Sequence, residues 1–261
     1  ANENVVKYMR PNNLSEVLTS NSLPFVSFEQ SIFNTSNNVF IIPTGDAKSE
    51  LIAKIDASRN CISNYFNVAR GLANNKVDFD GTSYNAIKSK SVDRYRISGE
   101  EIYVDTDDAS RFIPQMVILP RTVLYLKSTV KREHLVLLDR IYYLIPKPGK
   151  SLEPQYIVGI INSKLTNFWF EYKYSSTKVS GNYFDLNGNQ IKSIPLPKST
   201  SIRQSIISLV EKVLETGGNK IVENEIDFLV YQLYGLTYDE VLIVDPETPI
   251  TREEYESKKN G

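Results

Sequence analysis

Few residues of this 261-residue chain have the type and spacing that catalysis needs. Glu171-Tyr172-Lys173 has the carboxylate-x-lysine spacing of metal-dependent nucleases, but the upstream Pro-Asp that such sites use is missing. The single histidine, His134, has no serine or cysteine nucleophile in a recognisable context beside it. The sequence also contains no P-loop, GxGxxG or HExxH motif. We therefore predict no catalytic and no metal-binding residues, and keep as an alternative a metal-dependent nuclease that uses Glu171 and Lys173.

Cationic side chains near predicted loops and strand ends favour another chemistry, the binding of double-stranded DNA. Lysine and arginine replace counterions at phosphates, and polar side chains beside them can meet base edges. Residues 121–200 hold 12 Lys and Arg against 5 Asp and Glu, whereas residues 201–261 hold 6 against 12. Ordinary solvated charges would give similar counts, so composition alone leaves both readings open. The predicted DNA-contacting residues before residue 155 are Arg70, Lys76, Lys88, Lys90, Arg94, Arg96, Arg121, Lys127, Lys131 and Arg132.

One stretch, residues 155–197, is expected to position part of this set. It is predicted to form one apolar helix, then a polar loop with lysines, then a short strand closed by two prolines. Ile157, Ile161 and Leu165 recur at helical spacing, so we assign them to packing. The predicted DNA contacts in the loop are Lys173, Tyr174, Ser175, Ser176, Lys178 and Ser180.

The remaining pattern predicts an α+β fold, in which a mixed β-sheet domain is followed by helices. Several short strands are expected between residues 60 and 150. Two amphipathic helices are predicted at residues 202–216 and 219–234, and a shorter one at residues 237–244. The last residues, 246–261, are expected to be charged and frayed. A hairpin with its turn at residues 34–38 is predicted near the start.

Cysteine content and hydropathy bear on the compartment. Cys61 is the only cysteine, which excludes an internal disulfide and fits a reducing cytoplasm. No run of 18 apolar residues indicates a membrane span. The first residues include neither an initiating methionine nor an apolar signal core, so we expect the chain to begin inside a longer protein.

Five motifs resemble, in order, those of one protein family. Residues 155–165 (QYIVGIINSKL) resemble the YLLGILNSKL helix of target-recognition domains in bacterial DNA adenine methyltransferases. Residues 191–197 (IKSIPLP) resemble their L..IPIP strand, and residues 226–240 (IDFLVYQLYGLTYDE) resemble their ID.LVYELYGLTEEE ending. The (Y/F).V..GI and PKILL strands of the family are similar to residues 65–72 and 120–124. The chain thus resembles the TaqI-like C-terminal specificity domain of type IIG restriction–modification enzymes and phage-defence methyltransferases.

The resemblance implies sequence-specific DNA recognition by a target-recognition domain without catalysis of its own. No Asn/Asp-Pro-Pro-aromatic motif and no glycine-rich methyl-donor motif occurs, so an N6-adenine methyltransferase domain is expected N-terminal to Ala1 in the same parent chain. S-adenosylmethionine is the cofactor implied for the parent, with Mg²⁺ if the parent also cleaves DNA. The turn after residue 72 departs from the family, because its usual threonine and glycine are missing.

The same resemblance gives a domain assignment. Residues 1–50 would be the trailing hairpin or linker of the absent catalytic domain, residues 51–200 the DNA target-recognition domain, and residues 201–261 a C-terminal helical segment. Type I specificity subunits carry a similar domain, so one half of such a subunit is the alternative. That alternative would predict a long coiled-coil spacer, and the helices predicted at residues 202–234 are short and interrupted.

Overall fold

The computed structural model describes residues 4–8, 26–29, 46–150, 152–198 and 201–259. Helices and strands are mixed within these ranges, which confirms the predicted α+β class. The chain divides into two compact units between Ala53 and Lys54. None of the helices in the described ranges is long and apolar enough to cross a membrane. The predicted functional boundaries at residues 50 and 200 stay predictions.

The elements are numbered in chain order over the described residues. The helices are α1 (Ala47–Asp56), α2 (Ile62–Tyr65), α3 (Pro154–Asn162), α4 (Lys164–Tyr174), α5 (Gly188–Lys192), α6 (Arg203–Thr216), α7 (Lys220–Leu233), α8 (Tyr238–Val244) and α9 (Arg252–Lys259). The strands are β1 (Val5–Tyr8), β2 (Val26–Glu29), β3 (Phe66–Arg70), β4 (Tyr84–Ile87), β5 (Val92–Asp93), β6 (Arg96–Ile97), β7 (Ile102–Val104), β8 (Met116–Pro120), β9 (Thr122–Val123), β10 (Thr129–Lys131), β11 (Val136–Leu137), β12 (Ile141–Pro146), β13 (Lys178–Val179) and β14 (Tyr183–Asp185).

An antiparallel sheet in the order β10-β8-β12-β3 forms the centre of the larger unit. β8 and the first four residues of β12 are buried on both faces, which fits their almost uninterrupted run of apolar residues. Met116, Ile118 and Tyr143 point into one hydrophobic cluster, which also holds residues of the small sheet β11-β4-β7. Helix α3 packs on the other face, over β8 and β10. The central sheet is therefore covered on both sides.

The single helix predicted at the start of residues 155–197 is two helices. Ser163 interrupts it with an extended ψ of 151°, and its hydroxyl oxygen accepts a hydrogen bond from the Thr166 N–H that caps α4. Asn162 is fully buried at the end of α3. Its side chain accepts hydrogen bonds from the backbone N–H and the hydroxyl of Ser128, and donates one to the Ser128 carbonyl, at distances of 2.7, 3.1 and 3.0 Å.

The strand predicted at the end of that stretch is also different in the structure. Residues 188–192 form the short helix α5, which the Asn187 side chain caps by accepting from the N–H groups of Asn189 and Gln190. What remains of the strand is one antiparallel bridge between Pro195 and Cys61. The two prolines supply no N–H group, and a regular strand pairing needs one.

The predicted C-terminal helices are confirmed as α6, α7 and α8, with Thr237 as the cap of α8. Gly159 of α3 lets α6 approach closely, since a Cβ there would lie 2.7 Å from Ile206 Cγ2. The prediction of a frayed end is wrong, because residues 252–259 form α9. Tyr255 of this helix is buried, packs its ring on Phe228, and donates its hydroxyl proton to the Leu236 carbonyl.

The smaller unit contains the antiparallel pair β1–β2, in which Val5 lies opposite Glu29. The predicted hairpin turn at residues 34–38 lies outside the described residues. Helix α1 runs from Ala47 to Asp56.

A group of polar residues joins the break between α3 and α4 to the C-terminal helices. The N–H of Lys164 donates to the Asp227 carboxylate at 2.8 Å, and the Lys164 ammonium forms an ion pair with Asp245 at 2.6 Å. Arg94 donates to the Asn162 carbonyl at 2.6 Å and pairs with Glu223 at 2.6 Å. Burial raises the pKa of Asp227 to about 7, although the Lys164 N–H and two neighbouring cations favour its charged form.

The raised pKa of Asp227 predicts a pH-dependent loss of stability. The folded state binds the Asp227 proton more tightly than the unfolded chain does, so stability falls as pH rises from about 4 to about 7. We expect Asp227→Asn, which keeps the acceptor for the Lys164 N–H, to remove this loss. The free energy of unfolding of the variant, relative to wild type, should rise by up to about 4 kcal/mol across this window and stay constant above it.

Urea unfolding at pH 5 and pH 8 measures the effect. Asp107→Asn, at an exposed position, is the matched control and should show no such trend. A difference between Asp227→Asn and wild type that is the same at both pH values would contradict the prediction.

Candidate functional site

A cleft of about 800 Å³ opens beside the ends of β8 and β12 and brings several of the predicted cations together. Among the described residues that line it are the cations Lys88, Lys90, Lys127 and Arg140, with Asp139 as an acidic neighbour. Lys88, Lys90 and Arg140 are exposed. We call these four cations and the space between them the basic cleft. Its remaining wall is formed by Asn74, Phe79, Ser89, Pro120, Thr122 and Leu138.

The central sheet fixes the geometry of the basic cleft. Pro120, the last residue of β8, lies opposite Ile141, the first residue of β12. The Arg121 N–H donates to the Arg140 carbonyl at 2.7 Å, which closes this end of the strand pair. Arg140 has a φ of +69°, so the chain turns sharply just before β12 begins. The Arg140 side chain therefore starts from a rigid strand end.

Acidic neighbours neutralise part of the positive charge around the cleft. Arg70 pairs with Asp139 at 2.6 Å, and Lys127 pairs with Asp93 at 3.4 Å. Burial raises the pKa of Asp93, but the Arg94 N–H and Lys127 outweigh it, and the pKa lies below its ordinary value. Lys88, Lys90 and Arg140 remain as the exposed positive charges of the cleft.

A bidentate ion pair connects the cleft to a second exposed element. Arg121 donates from Nε and Nη2 to the two carboxylate oxygens of Asp185, at 2.8 and 2.7 Å. These bonds lower the pKa of Asp185, which stays charged. Asp185 belongs to β14, the middle strand of the small antiparallel sheet β13-β14-β9. Thr122 of β9, on the edge of this sheet, lines the cleft.

Two of the predicted DNA-contacting residues are buried, and their assignment is wrong. Lys131 has no exposed surface, and its ammonium donates to the carbonyls of Phe112 and Glu133 at 2.9 and 2.7 Å. Burial lowers the pKa of Lys131 to about 8. The Tyr174 side chain is 5% exposed, and its hydroxyl lies 2.8 Å from that of Ser193. Neither side chain can reach a ligand at the surface.

Two further predicted residues stabilise the fold through ion pairs. The Arg94 guanidinium donates hydrogen bonds to the Glu223 carboxylate and to the Asn162 carbonyl. Lys173 pairs with Asp56 at 2.5 Å, and its ammonium lies 4.9 Å from the centre of a Trp169 ring.

The other predicted residues are accessible but are not part of the cleft wall. Lys76 pairs with Asp108, and Arg96 pairs with Asp93, both at 3.4 Å. Arg132 pairs with Glu211. Ser175, Ser176 and Ser180 are exposed beside Lys178, which pairs with Glu171 at 2.6 Å. As contacts to DNA, all of these residues stay predictions.

Sequence reasoning missed Arg140. The residue directly follows Asp139 and precedes an apolar run, a pattern that also fits an ordinary surface turn. Its position in the cleft depends on the pairing of β8 with β12, which the sequence did not specify. Asn74 and Thr122 were missed for the same reason, because they meet the cleft from separate elements.

The residues of the alternative nuclease site are engaged with separate partners. Glu171 pairs with Lys178, whereas Lys173 pairs with Asp56. In the part of the chain that the structure describes, no group of three or more His, Cys, Asp or Glu side chains could hold a metal ion.

Comparison with known proteins gives a family match over the centre of the chain. A family model described as the TaqI-like C-terminal specificity domain matches residues 60–196. No curated protein matches this chain.

Among solved structures, the chain is similar to the type-I restriction-modification system S subunit from M. genitalium, with 13% sequence identity and a TM-score of 0.39. The match covers 66% of this chain and 44% of that subunit, so the chain spans less than half of its length.

The contrast between buried and exposed lysines predicts different effects on stability. We expect Lys131→Ala to lower the free energy of unfolding by about 2–3 kcal/mol, because two buried carbonyls lose their donor and a cavity remains. The matched variant Lys90→Ala, at an exposed position, should change it by less than about 0.5 kcal/mol. Urea unfolding of both variants measures the difference, and equal small effects would contradict the burial of Lys131.

Proposed function

Since this chain belongs to the family of TaqI-like C-terminal specificity domains, we propose that it selects the DNA sequence on which a restriction–modification system acts. The observation that supports this proposal is the basic cleft, where Lys88, Lys90, Lys127 and Arg140 converge beside the ends of β8 and β12. Duplex DNA carries a dense row of phosphates, and each lysine or arginine that meets one releases a counterion. The exposed cations of the cleft fit that role.

The residues around the cleft support separate roles, in which some side chains contact phosphates and others contact base edges. Phosphate contacts set the register of a protein on the duplex but carry no sequence information. Side chains with donors and acceptors must therefore reach base edges. Asn74 and Thr122 line the cleft, Ser175 and Ser176 are exposed just before β13, and Ser180 is exposed between β13 and β14. Each bidentate contact to a correct base would contribute about 1–3 kcal/mol of discrimination.

We further propose that a methyltransferase domain of the same parent chain carries the chemistry. The resemblance of residues 155–165 and 226–240 to adenine methyltransferases supports it. The target adenine would be flipped out of the duplex into that domain, and its N6 would take a methyl group from S-adenosylmethionine. The parent would be a type IIG enzyme of phage defence in the cytoplasm, with Mg²⁺ needed for cleavage.

Duplex binding that depends on salt tests the proposed recognition. Lys88→Ala and Lys90→Ala should each weaken binding to a mixed-sequence 30-bp duplex roughly three- to tenfold at 0.1 M salt. Each should also reduce the slope of log K against log salt by about 1, because one phosphate contact is lost. Fluorescence anisotropy at several salt concentrations measures both quantities.

Lys150→Ala is the matched control for this experiment. Lys150 is exposed and follows the end of β12 that lies opposite Phe66, far from Arg140. Its removal should leave the affinity and the slope nearly unchanged. A wild-type protein whose duplex affinity does not depend on salt would contradict the proposed function.

Methyl transfer tests the proposed parent enzyme. The full-length parent should transfer a labelled methyl group from S-adenosylmethionine to adenine N6 in a duplex, with release of one proton. The Lys88→Ala/Lys90→Ala double variant should lower the rate at subsaturating DNA at least tenfold, and the rate should recover at saturating DNA, because the cleft binds DNA and does no chemistry. Transfer to cytosine, or none at all, would contradict this part of the proposal.

A further inference from the structure

Three exposed apolar side chains lie in one row across the sheet β13-β14-β9. Val179 lies directly opposite Tyr183 in the pairing of β13 with β14. Phe184 lies opposite Val123 in the pairing of β14 with β9, and Leu124, the first residue after β9, continues this strand toward the level of Tyr183. Val179, Tyr183 and Leu124 are 49%, 40% and 48% exposed. We call this row the apolar ridge.

The residues beneath the ridge hold it in place. Phe184 and Val123, which alternate with the ridge along their strands, are buried. The Phe184 ring packs edge-on against Phe170 at 5.0 Å, and the Lys178 ammonium lies 4.9 Å from its centre. One face of the small sheet is therefore anchored in the core, and the face with the ridge is turned to solvent.

The tip of the β13–β14 hairpin is short and polar. Ser180–Asn182 connects the two strands, and Gly181 and Asn182 have φ values of +76° and +64°. Gly181 lies against the Tyr183 ring, since a Cβ there would come within 3.1 Å of Tyr183 Cδ2. The tip therefore supports the aromatic member of the ridge and presents hydroxyl and amide groups beside it.

The ridge and the basic cleft share one surface. Asp185 and Thr122 lie opposite each other. Asp185 is two residues from Tyr183, and Thr122 is two residues from Leu124. Each pair therefore shares a face of the sheet, with a spacing of about 7 Å along the strand. Thr122 lines the cleft, and Asp185 forms the bidentate ion pair with Arg121. A duplex held by Lys88, Lys90 and Arg140 would thus lie next to the ridge.

We propose that the apolar ridge packs against the bases of the duplex that the basic cleft holds, and that it determines part of the sequence preference. This inference rests on the proposed function. The basic charge beside the ridge selects a polyanion as the ligand. In a duplex the base edges lie in the grooves, and apolar and aromatic side chains contact them there through the thymine methyl group, which a phosphate does not offer. The ridge then contributes to preference among sequences, whereas the cleft contributes affinity for any duplex.

Serine substitutions in the ridge test this division. The probes are 30-bp duplexes enriched on the wild-type protein from a randomised pool, and the unselected pool itself. Tyr183→Ser and Val179→Ser should each lower the ratio of the two affinities at least fivefold, and the double variant at least tenfold. The salt dependence of binding to the unselected pool should match wild type, because the cleft cations are unchanged. Tyr183→Phe, which keeps the apolar ring, should retain the wild-type ratio.

Two controls make the outcomes distinct. Tyr103→Ser, at a tyrosine of similar exposure on β7, and Ile221→Ser, at an exposed residue of α7, should leave the ratio unchanged. Thermal unfolding shows whether each variant is folded. A ratio that survives the double ridge substitution, or a Tyr183→Phe variant as poor as Tyr183→Ser, overturns the assignment of the ridge. A wild-type protein with no salt-dependent duplex binding overturns the proposed function itself.

Discussion

The structure depends on how a helix that ends inside the protein satisfies its polar groups. Helix α3 stops at Asn162 in the core, where no water can accept or donate hydrogen bonds in place of the protein. The Asn162 side chain binds the N–H, hydroxyl and carbonyl of Ser128, and its own carbonyl accepts from Arg94. The next residues begin a second helix, whose first N–H donates to Asp227. The break therefore connects the central sheet to the C-terminal helices in a single network of hydrogen bonds.

The same network reaches the candidate site. Ser128 directly precedes β10 and directly follows Lys127, which lines the basic cleft. Two hydrogen bonds between Asn162 and the Ser128 backbone therefore hold the chain directly after Lys127. Elsewhere in the cleft, the Arg121 N–H donates to the Arg140 carbonyl, and the Arg121 carbonyl accepts from the Leu186 N–H. Arg121 therefore links the backbone of the cleft to the small sheet β13-β14-β9. Cations placed on such a backbone need little reorganisation when they bind a ligand, and this lowers the entropic cost of binding.

The sequence was sufficient to locate a helix or strand where one physical pattern dominates. Amphipathic periodicity located α6 and α7, and the buried strands β8 and β12 were recognisable as short apolar runs. The break at Ser163 was not recognisable, because apolar residues on both of its sides keep the helical spacing. The contacts that hold it, from Asn162 to Ser128 and from the Lys164 N–H to Asp227, join residues distant in the chain. Among the cations, a lysine at a strand end looks the same whether it is buried like Lys131 or exposed like Lys90. Strand register decides between these states, and register depends on partners distant in the chain.

The β13–β14 hairpin has a consequence for how such a protein could change over time. It is anchored by Phe184, which is buried in the core, and by Asp185, which is bound by Arg121. Val179 and residues 180–183 are exposed and contribute little to the packed interior. Substitutions at Val179, Ser180 and Tyr183 would therefore escape the selection that stability imposes on the sheet, whereas the left-handed φ of Gly181 favours glycine there. If the hairpin meets the bases, new recognition sequences can arise there by a few point mutations. The fold and the phosphate contacts of the basic cleft would stay unchanged.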